Sequence, residues 1–161
     1  MTPQLLNSQL STLNCQLSTT MKLTLTRYYR DSHRAKGILT LDGRPFGETR
    51  EALPVGVCRR KLGALLPPGT YTCRPTATML SPMTLKVCQA AGHTRLFIAY
   101  DPVRQEVADR ILVGQADMLL QPEERELVQQ AATFEALTQR VYQAYAAAEN
   151  ITLEVAEEYT P

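Results

Sequence analysis

The chain has 161 residues, the size of one ordinary domain, and 44% of them are hydrophobic, which is enough to form a core. Seventeen basic and sixteen acidic residues give a formal net charge of +1, so no overall field draws the chain to nucleic acid or to an anionic membrane. No apolar run approaches the roughly 18 to 20 residues of a membrane span, and the first residues lack the basic and apolar regions of a signal peptide. We therefore expect a cytoplasmic protein with neither nucleic acid nor a membrane among its partners.

The first twenty residues are polar and contain a near repeat, LNSQLST followed by LNCQLST. Two copies are too few for a coiled coil. Met21 follows directly, and an alternating strand pattern begins after it. We predict that residues 1–20 form a disordered or loosely helical tail, translated upstream of a natural start at Met21. Residues 21–156 are then one domain, and residues 157–161 are a C-terminal tail.

From Lys22 to about Val113 the sequence is typical of β-strands. Leu23 and Leu25 alternate with threonines, as a half-buried strand requires. In GILTLDGRPFGETRE, the Asp-Gly pair at 42 and 43 predicts a hairpin turn with a return strand from Phe46. Further strands are predicted after the Pro-Pro-Gly turn of LLPPGTYTCRPT and in MTLKVCQA, TRLFIAY and RILVG, with a turn at residues 91–93.

The pattern becomes helical between about Glu123 and Ala148. Pro122 suits the first turn of a helix, and the glutamates after it suit the positive end of the helix dipole. Asn150 is the predicted stop. The apolar stripe expected to cover the sheet consists of Leu127, Ala131, Phe134, Leu137, Val141 and Tyr145.

The segment ITLEV follows the helix and alternates as a last strand, with Ile151, Leu153 and Val155 facing inward. These elements predict the α+β class, with a compact, mainly antiparallel, barrel-like β core, one long C-terminal helix and a closing strand. Tyr142 and Tyr145, near the end of the helix, are expected to reach the surface and offer a contact.

The four cysteines are widely spaced, form no CxxC pair and lie at no zinc-site spacing from His33 or His93. Because cytosolic chains rarely keep disulfides, we expect reduced thiols that are buried or inert, with a disulfide or a metal site as alternatives. No cofactor is expected. The cysteines are Cys15, Cys58, Cys73 and Cys88.

Taken in order, these motifs resemble the bacterial and phage family known as domain of unknown function 5675. The resemblance is carried by KGILTLDGRPFGETRE, by LPPGTYTCRPT, by ILVG at 111–114 and by ATFEALTQRVYQA with the following ENITLEV. Members of that family carry an Ile-His-x-Gly-Asn segment and, after a short loop, Gly-Cys before the Ile-Leu-Val-Gly strand. This layout is similar to that of L,D-transpeptidases, in which a Cys thiolate attacks an acyl donor and a His moves its proton.

The chain departs from that pattern where the chemistry would lie. The His position is Ala99, the Cys position is Arg110 and the preceding Gly position is Asp109, while the Gly-Asn pair falls on Asp101 and Pro102. Ala cannot accept a proton and Arg is no nucleophile at neutral pH. The resemblance therefore implies no catalytic residue at these positions.

A mixed-charge region surrounds these positions and predicts a polar cleft that could bind a carboxylate or a peptide through Arg. A mixture of this kind is more often a solvated loop with weak ion pairs, which is the favoured interpretation. The predicted ligand-binding residues are Arg95, Tyr100, Asp101, Arg104 and Arg110.

A basic cluster, CRRK at 58–61 with Lys36, Arg44 and Arg50 nearby in sequence, is of the kind that contacts phosphate. It lacks interleaved aromatic residues, and a solvated surface is the favoured interpretation.

We expect a non-catalytic binding or structural module that recognises peptidoglycan-like or peptide ligands through a vestigial cleft, or a protein partner. One alternative is a cell-wall peptide-acting enzyme with another nucleophile, such as Cys88 beside His93. A second is a phage or mobile-element assembly protein without a ligand.

Overall fold

The structure is a computed structural model that describes residues 20–53, 65–77, 84–88, 95–98 and 110–159. Within these ranges the chain forms eight strands and one α-helix. They are β1 (Thr20–Arg30), β2 (Arg34–Leu41), β3 (Arg44–Ala52), β4 (Gly69–Thr76), β5 (Thr84–Cys88), β6 (Arg95–Ile98), β7 (Arg110–Gly114), α1 (Gln130–Ala146) and β8 (Asn150–Glu157).

The eight described strands pair side by side into a closed barrel in the order β1-β2-β3-β7-β6-β5-β4-β8. β1 pairs with β8 in parallel, which closes the ring, and β6 pairs with β7 in parallel. The other joins between described strands are antiparallel. The predicted α+β class with a mainly antiparallel, barrel-like core is therefore confirmed. The outer bounds differ slightly from those expected, since β1 begins at Thr20 and β8 continues through Glu157.

The alternation seen in the sequence places one side of each strand in the barrel interior. Leu23 and Leu25 are 0% exposed, and the predicted inward residues Ile151, Leu153 and Val155 are all buried. The Asp-Gly turn is also confirmed: Asp42 (φ 50°) and Gly43 (φ 82°) both take the left-handed backbone conformation that a tight hairpin turn of this kind requires.

The helix begins at Gln130, so the predicted start near Glu123 is wrong. Pro122–Glu124 form a single 3-10 turn instead, and Gln129 (φ 52°) interrupts any continuous helix. Between them, Val128 exchanges two backbone hydrogen bonds of 2.8 Å with Gln115. Backbone groups that the sequence suggested for helical hydrogen bonds are therefore engaged elsewhere.

The apolar stripe also differs from the prediction. The helix covers one end of the barrel, and the row of residues that it buries is narrower than the predicted stripe. Leu137 and Val141 join the barrel core as predicted, whereas Ala131 and Tyr145 are exposed. Arg140 links this helix to Asp42 of the β2–β3 turn (3.3 Å). The buried row on α1 is Thr133, Leu137, Val141 and Ala144.

Both tyrosines predicted to reach the surface do so: Tyr142 is 61% and Tyr145 is 64% exposed.

The end of α1 is a Schellman motif built on Ala148, which lies in the left-handed region (φ 55°). Its N–H donates to the Tyr145 carbonyl (3.1 Å), and the Glu149 N–H donates to the Ala144 carbonyl (2.9 Å). The predicted stop at Asn150 is therefore wrong, since Asn150 is already the first residue of β8.

The Ala148→Gly variant should stabilise the protein by about 1 kcal/mol, because glycine adopts the left-handed conformation without the steric penalty that a Cβ brings. The matched control is Ala146→Gly inside the last helical turn, which should destabilise by up to about 1 kcal/mol. Urea unfolding midpoints measure both changes. Equal destabilisation by the two variants would contradict this assignment of the helix end.

Candidate functional site

Most of the predicted cleft lies outside the described residues. Positions 99–109 are among these, and they include Tyr100, Asp101 and Arg104 as well as the family positions Ala99 and Asp109. The cleft stays a prediction.

Two predicted cleft residues fall on described strands. β6 begins at Arg95, whose backbone pairs with Val87 of β5, and β7 begins at Arg110, which lies beside Leu96. The Arg110 side chain is half-buried. The two strands that start with these arginines are therefore neighbours in the barrel.

The prediction of a buried, reduced thiol is confirmed for Cys73, which lies in the barrel interior. Cys73 is a free thiol with 4% of its surface exposed, and Cys88 is free and half-buried. Burial, with a smaller contribution from Cys88, raises the pKa of Cys73 to about 12. A thiol in this environment stays protonated at neutral pH and is a poor nucleophile. Cys15, Cys58 and His93 lie outside the described residues.

Inside the barrel, the inward row of β1 continues from Leu23 and Leu25 to a charged residue, Arg27, which is 0% exposed. Its guanidinium binds both carboxylate oxygens of Glu51 on β3, at 2.8 and 3.1 Å. It also donates to the Leu66 carbonyl (2.8 Å) and to Glu157 of β8 (3.1 Å). This cation therefore has the oxygen partners that a buried charge requires.

The ion pair crosses β2 at two small inward residues, Ala35 and Gly37. Ala35 lies beside Glu51, and Gly37 lies between Arg27 and Thr49. A Cβ on Gly37 would meet the Thr49 hydroxyl oxygen at 2.8 Å, so only glycine leaves this space open. The small residues of β2 thus allow side chains from β1 and β3 to meet.

A second group of charges lies on the outer side of the same three strands, beneath residues 115–129. The pairing of β1 with β2 shifts between Arg27 and Tyr29, so a β-bulge at Tyr28 lets successive tyrosines reach the outer face. Tyr28 donates to Glu48 of β3 (2.8 Å). The Tyr29 ring centroid lies 5.1 Å from the Lys36 ammonium nitrogen.

Lys36 fixes the backbone of the 3-10 turn. Its ammonium group, in a residue that is 1% exposed, donates to the carbonyls of Pro122 (3.0 Å), Glu123 (3.0 Å) and Arg125 (2.7 Å). Burial and then the neighbouring Arg50 lower the pKa of Lys36. Three acceptors nevertheless use all three ammonium hydrogens, so this geometry binds the protonated form.

Arg50 adds a second cation to the same anchor. It is 3% exposed and donates to the Arg125 carbonyl (2.8 Å) and to the Glu48 carboxylate (3.1 Å). The predicted basic surface cluster is therefore wrong for Lys36 and Arg50, since both are buried and bonded to oxygen atoms of the chain. Residues 58–61 of that cluster lie outside the described residues.

Arg125 connects this group of contacts to the turn at residues 118–120. Its guanidinium carbon lies 5.0 Å from the Tyr28 ring centroid. From there it donates to the Leu120 carbonyl (3.0 Å) and, at a longer distance, to the Met118 carbonyl (3.4 Å). The backbone at both ends of a short turn is thus bonded to one side chain that rests on the barrel.

The turn at residues 118–120, which we call the apolar tip, exposes three consecutive apolar side chains. Leu119 is 94%, Met118 is 51% and Leu120 is 42% exposed. Asp117 closes the turn, because its carboxylate accepts from the Leu119 N–H (3.0 Å) and its carbonyl from the Leu120 N–H (3.2 Å). The apolar side chains therefore project from a turn with a defined backbone.

Two glycines allow close backbone contacts where residues 115–129 leave β7 and return to it. A Cβ on Gly114 would lie 2.8 Å from the Val128 carbonyl oxygen, and one on Gly47 would lie 2.6 Å from the Gly114 carbonyl oxygen. Side chains at these positions would push the three backbone segments apart.

Within the described ranges, no group of three or more His, Cys, Asp and Glu side chains is placed to hold a metal ion. No helix in those ranges is long and apolar enough to cross a membrane.

Comparison with known proteins gives no relative: no family model, curated protein or solved structure matches the chain. The resemblance noted in the sequence therefore stays a prediction, and the site must be interpreted from its own geometry.

The raised pKa of Cys73 predicts a loss of stability at alkaline pH. Above about pH 9 the unfolded chain loses this thiol proton while the folded chain keeps it, so the free energy of unfolding falls by about 1.4 kcal/mol per pH unit. Urea unfolding at about pH 8 and pH 10.5 should show wild type losing about 2 kcal/mol relative to Cys73→Ala. Parallel pH profiles for the two proteins would rule out this assignment.

Replacing Lys36 with Met should loosen residues 115–129, because it removes the donor shared by three carbonyls. We expect a loss of about 3 kcal/mol in unfolding free energy and faster hydrogen exchange at Leu120, Glu124 and Val128 than in the barrel strands. The control is Lys22→Met at an exposed ion pair, with an expected effect of at most about 0.5 kcal/mol. Unchanged exchange in the Lys36 variant would show that this side chain does not hold the segment.

Proposed function

We propose that the protein is a non-catalytic binding module that contacts a protein partner through the apolar tip at residues 118–120. The observation that carries the proposal is Leu119, which is 94% exposed on a turn held by Asp117 and Arg125. The carbonyl of Arg125 is in turn bound by the buried cations Lys36 and Arg50. An apolar side chain held out in water lowers its free energy when a partner covers it.

The hydrogen bonds that hold the turn favour binding, because they reduce the conformational entropy that the turn loses on association. A mobile loop gives up conformational entropy when it docks, whereas the carbonyls of this turn already accept from Arg125. The carbonyl of Arg125 itself accepts from Lys36 and Arg50. Burying a leucine side chain such as Leu119 stabilises a complex by about 2 kcal/mol. A closed barrel that carries an ordered apolar projection is well suited to present such a contact.

The described ionisable groups support a role without catalysis. Arg27, Lys36 and Arg50 are buried and bonded to oxygen atoms of the chain, and Cys73 is a buried thiol with a raised pKa. Buried groups of this kind stabilise the fold and are not accessible to a substrate. Recognition of peptidoglycan-like or peptide ligands at residues 95–110 stays a separate prediction from the resemblance.

The test is photocrosslinking in the cells that make the protein, with benzoylphenylalanine in place of Leu119. The control carries the same group in place of Gln139, which is exposed on α1. We expect a discrete protein adduct at position 119 alone, displaced by excess wild-type protein but not by excess Leu119→Ser protein. Adducts of equal yield at both positions, or equal displacement by both competitors, would contradict the proposal.

A further inference from the structure

Two cations face each other on the side of the barrel formed by β4 and β5. Arg74 and Lys86 are directly opposed in the register of these strands, and their neighbours Cys73 and Val87 point inward. Both side chains therefore stand on the outer face. In the described part of the chain neither forms an ion pair. Like charges directly opposite each other destabilise a sheet unless an anion lies nearby.

This basic pair and residues 115–129 lie on opposite sides of the molecule. Residues 122–125 rest on the outer side of β1–β3 through the contacts of Lys36, Arg50 and Tyr28. In the ring of described strands, β2 stands four places from β5 and β3 stands four places from β4.

The charge around the apolar tip has the opposite sign. Asp117 precedes the tip, and Glu123 and Glu124 follow it as exposed residues. Arg125 adds one positive charge beside the Leu120 carbonyl, which leaves three carboxylates against one guanidinium. The tip is therefore an apolar projection with acidic borders.

We infer that the partner is a second copy of this chain, and that the acidic, apolar tip of one copy docks on the Arg74 and Lys86 face of the next. This inference rests on the proposed role of the tip as an interaction surface. A symmetric contact of tip with tip would bring carboxylates together and is unfavourable. The net charge of +1 leaves no overall repulsion between copies.

The contact is head to tail, so each copy offers one tip and one basic face. Such an interface does not saturate in a dimer, and it continues into a ring or a filament. Assembly should weaken with salt, because its borders are ionic.

Multi-angle light scattering on the full chain tests this over a range from about micromolar to a few hundred micromolar. The expected result is a mass that rises above the monomer's 18.0 kDa with concentration and falls when salt is raised. A monomer at every concentration would overturn the inference. The proposed binding module would then still be judged by the adduct at position 119.

Two variants each block one half of the contact. Leu119→Asp removes the apolar tip, and Arg74→Glu with Lys86→Glu reverses the basic face. Each should weaken self-association at least about tenfold. Arg30→Glu with Arg44→Glu makes the same charge change at exposed positions elsewhere and should leave assembly intact. Circular dichroism and urea unfolding confirm that each variant is folded.

Mixing the two blocked variants gives the decisive result. The Leu119→Asp protein retains the basic face and the doubly reversed protein retains the tip, so together they should form a 1:1 dimer that grows no further. Failure of the folded variants to combine would overturn the head-to-tail arrangement. So would assembly of either variant alone to the extent of wild type.

Discussion

A cation removed from water must be surrounded by oxygen atoms, and this requirement links the parts of the barrel that are far apart in sequence. Arg27 lies inside the ring, yet its hydrogen bonds reach β3, β8 and the chain just before β4. Breaking one partner of such a buried pair is strongly destabilising, because the other charge is left without compensation. The hydrophobic rows bring the strands together, and the buried ion pair selects the arrangement in which β1, β3 and β8 meet around one guanidinium.

The same requirement operates on the outer side of these strands, where it produces the surface that we assign to binding. Lys36 and Arg50 would be unfavourable on a buried strand face, but the carbonyls of residues 122–125 supply their acceptors. The cations and the covering segment therefore depend on each other. The side chain of Leu119 takes no part in these contacts and stays in solvent. Stability and presentation of the tip thus arise from one set of contacts.

The strands could be predicted from the sequence because alternation and turn residues are local signals. Leu23, Leu25 and the Asp-Gly pair at 42 and 43 define their elements without knowledge of the fold. The start of the helix could not be predicted locally, since the carbonyls of Pro122 and Glu123 bind Lys36, which lies far away in sequence. For the candidate site, the sequence contains two signals. Arg27 occupies an inward position of an otherwise apolar row, and three consecutive apolar residues follow Asp117. Neither signal shows which oxygen atoms will accept hydrogen bonds from the buried cations.

The parallel pairing of β1 with β8 has a consequence for how the protein is made. β1 leaves the ribosome first among the described strands and β8 last, yet the ring closes only when they meet. Until then β1 presents one edge of unpaired backbone groups, which is a template for pairing with another nascent chain. Contacts between such distant segments also slow folding. Arg27 points inward from this strand, and an inward-pointing charge on an edge strand discourages pairing with another chain. The residue that forms the buried ion pair of the folded barrel therefore also disfavours wrong pairing before the barrel is complete.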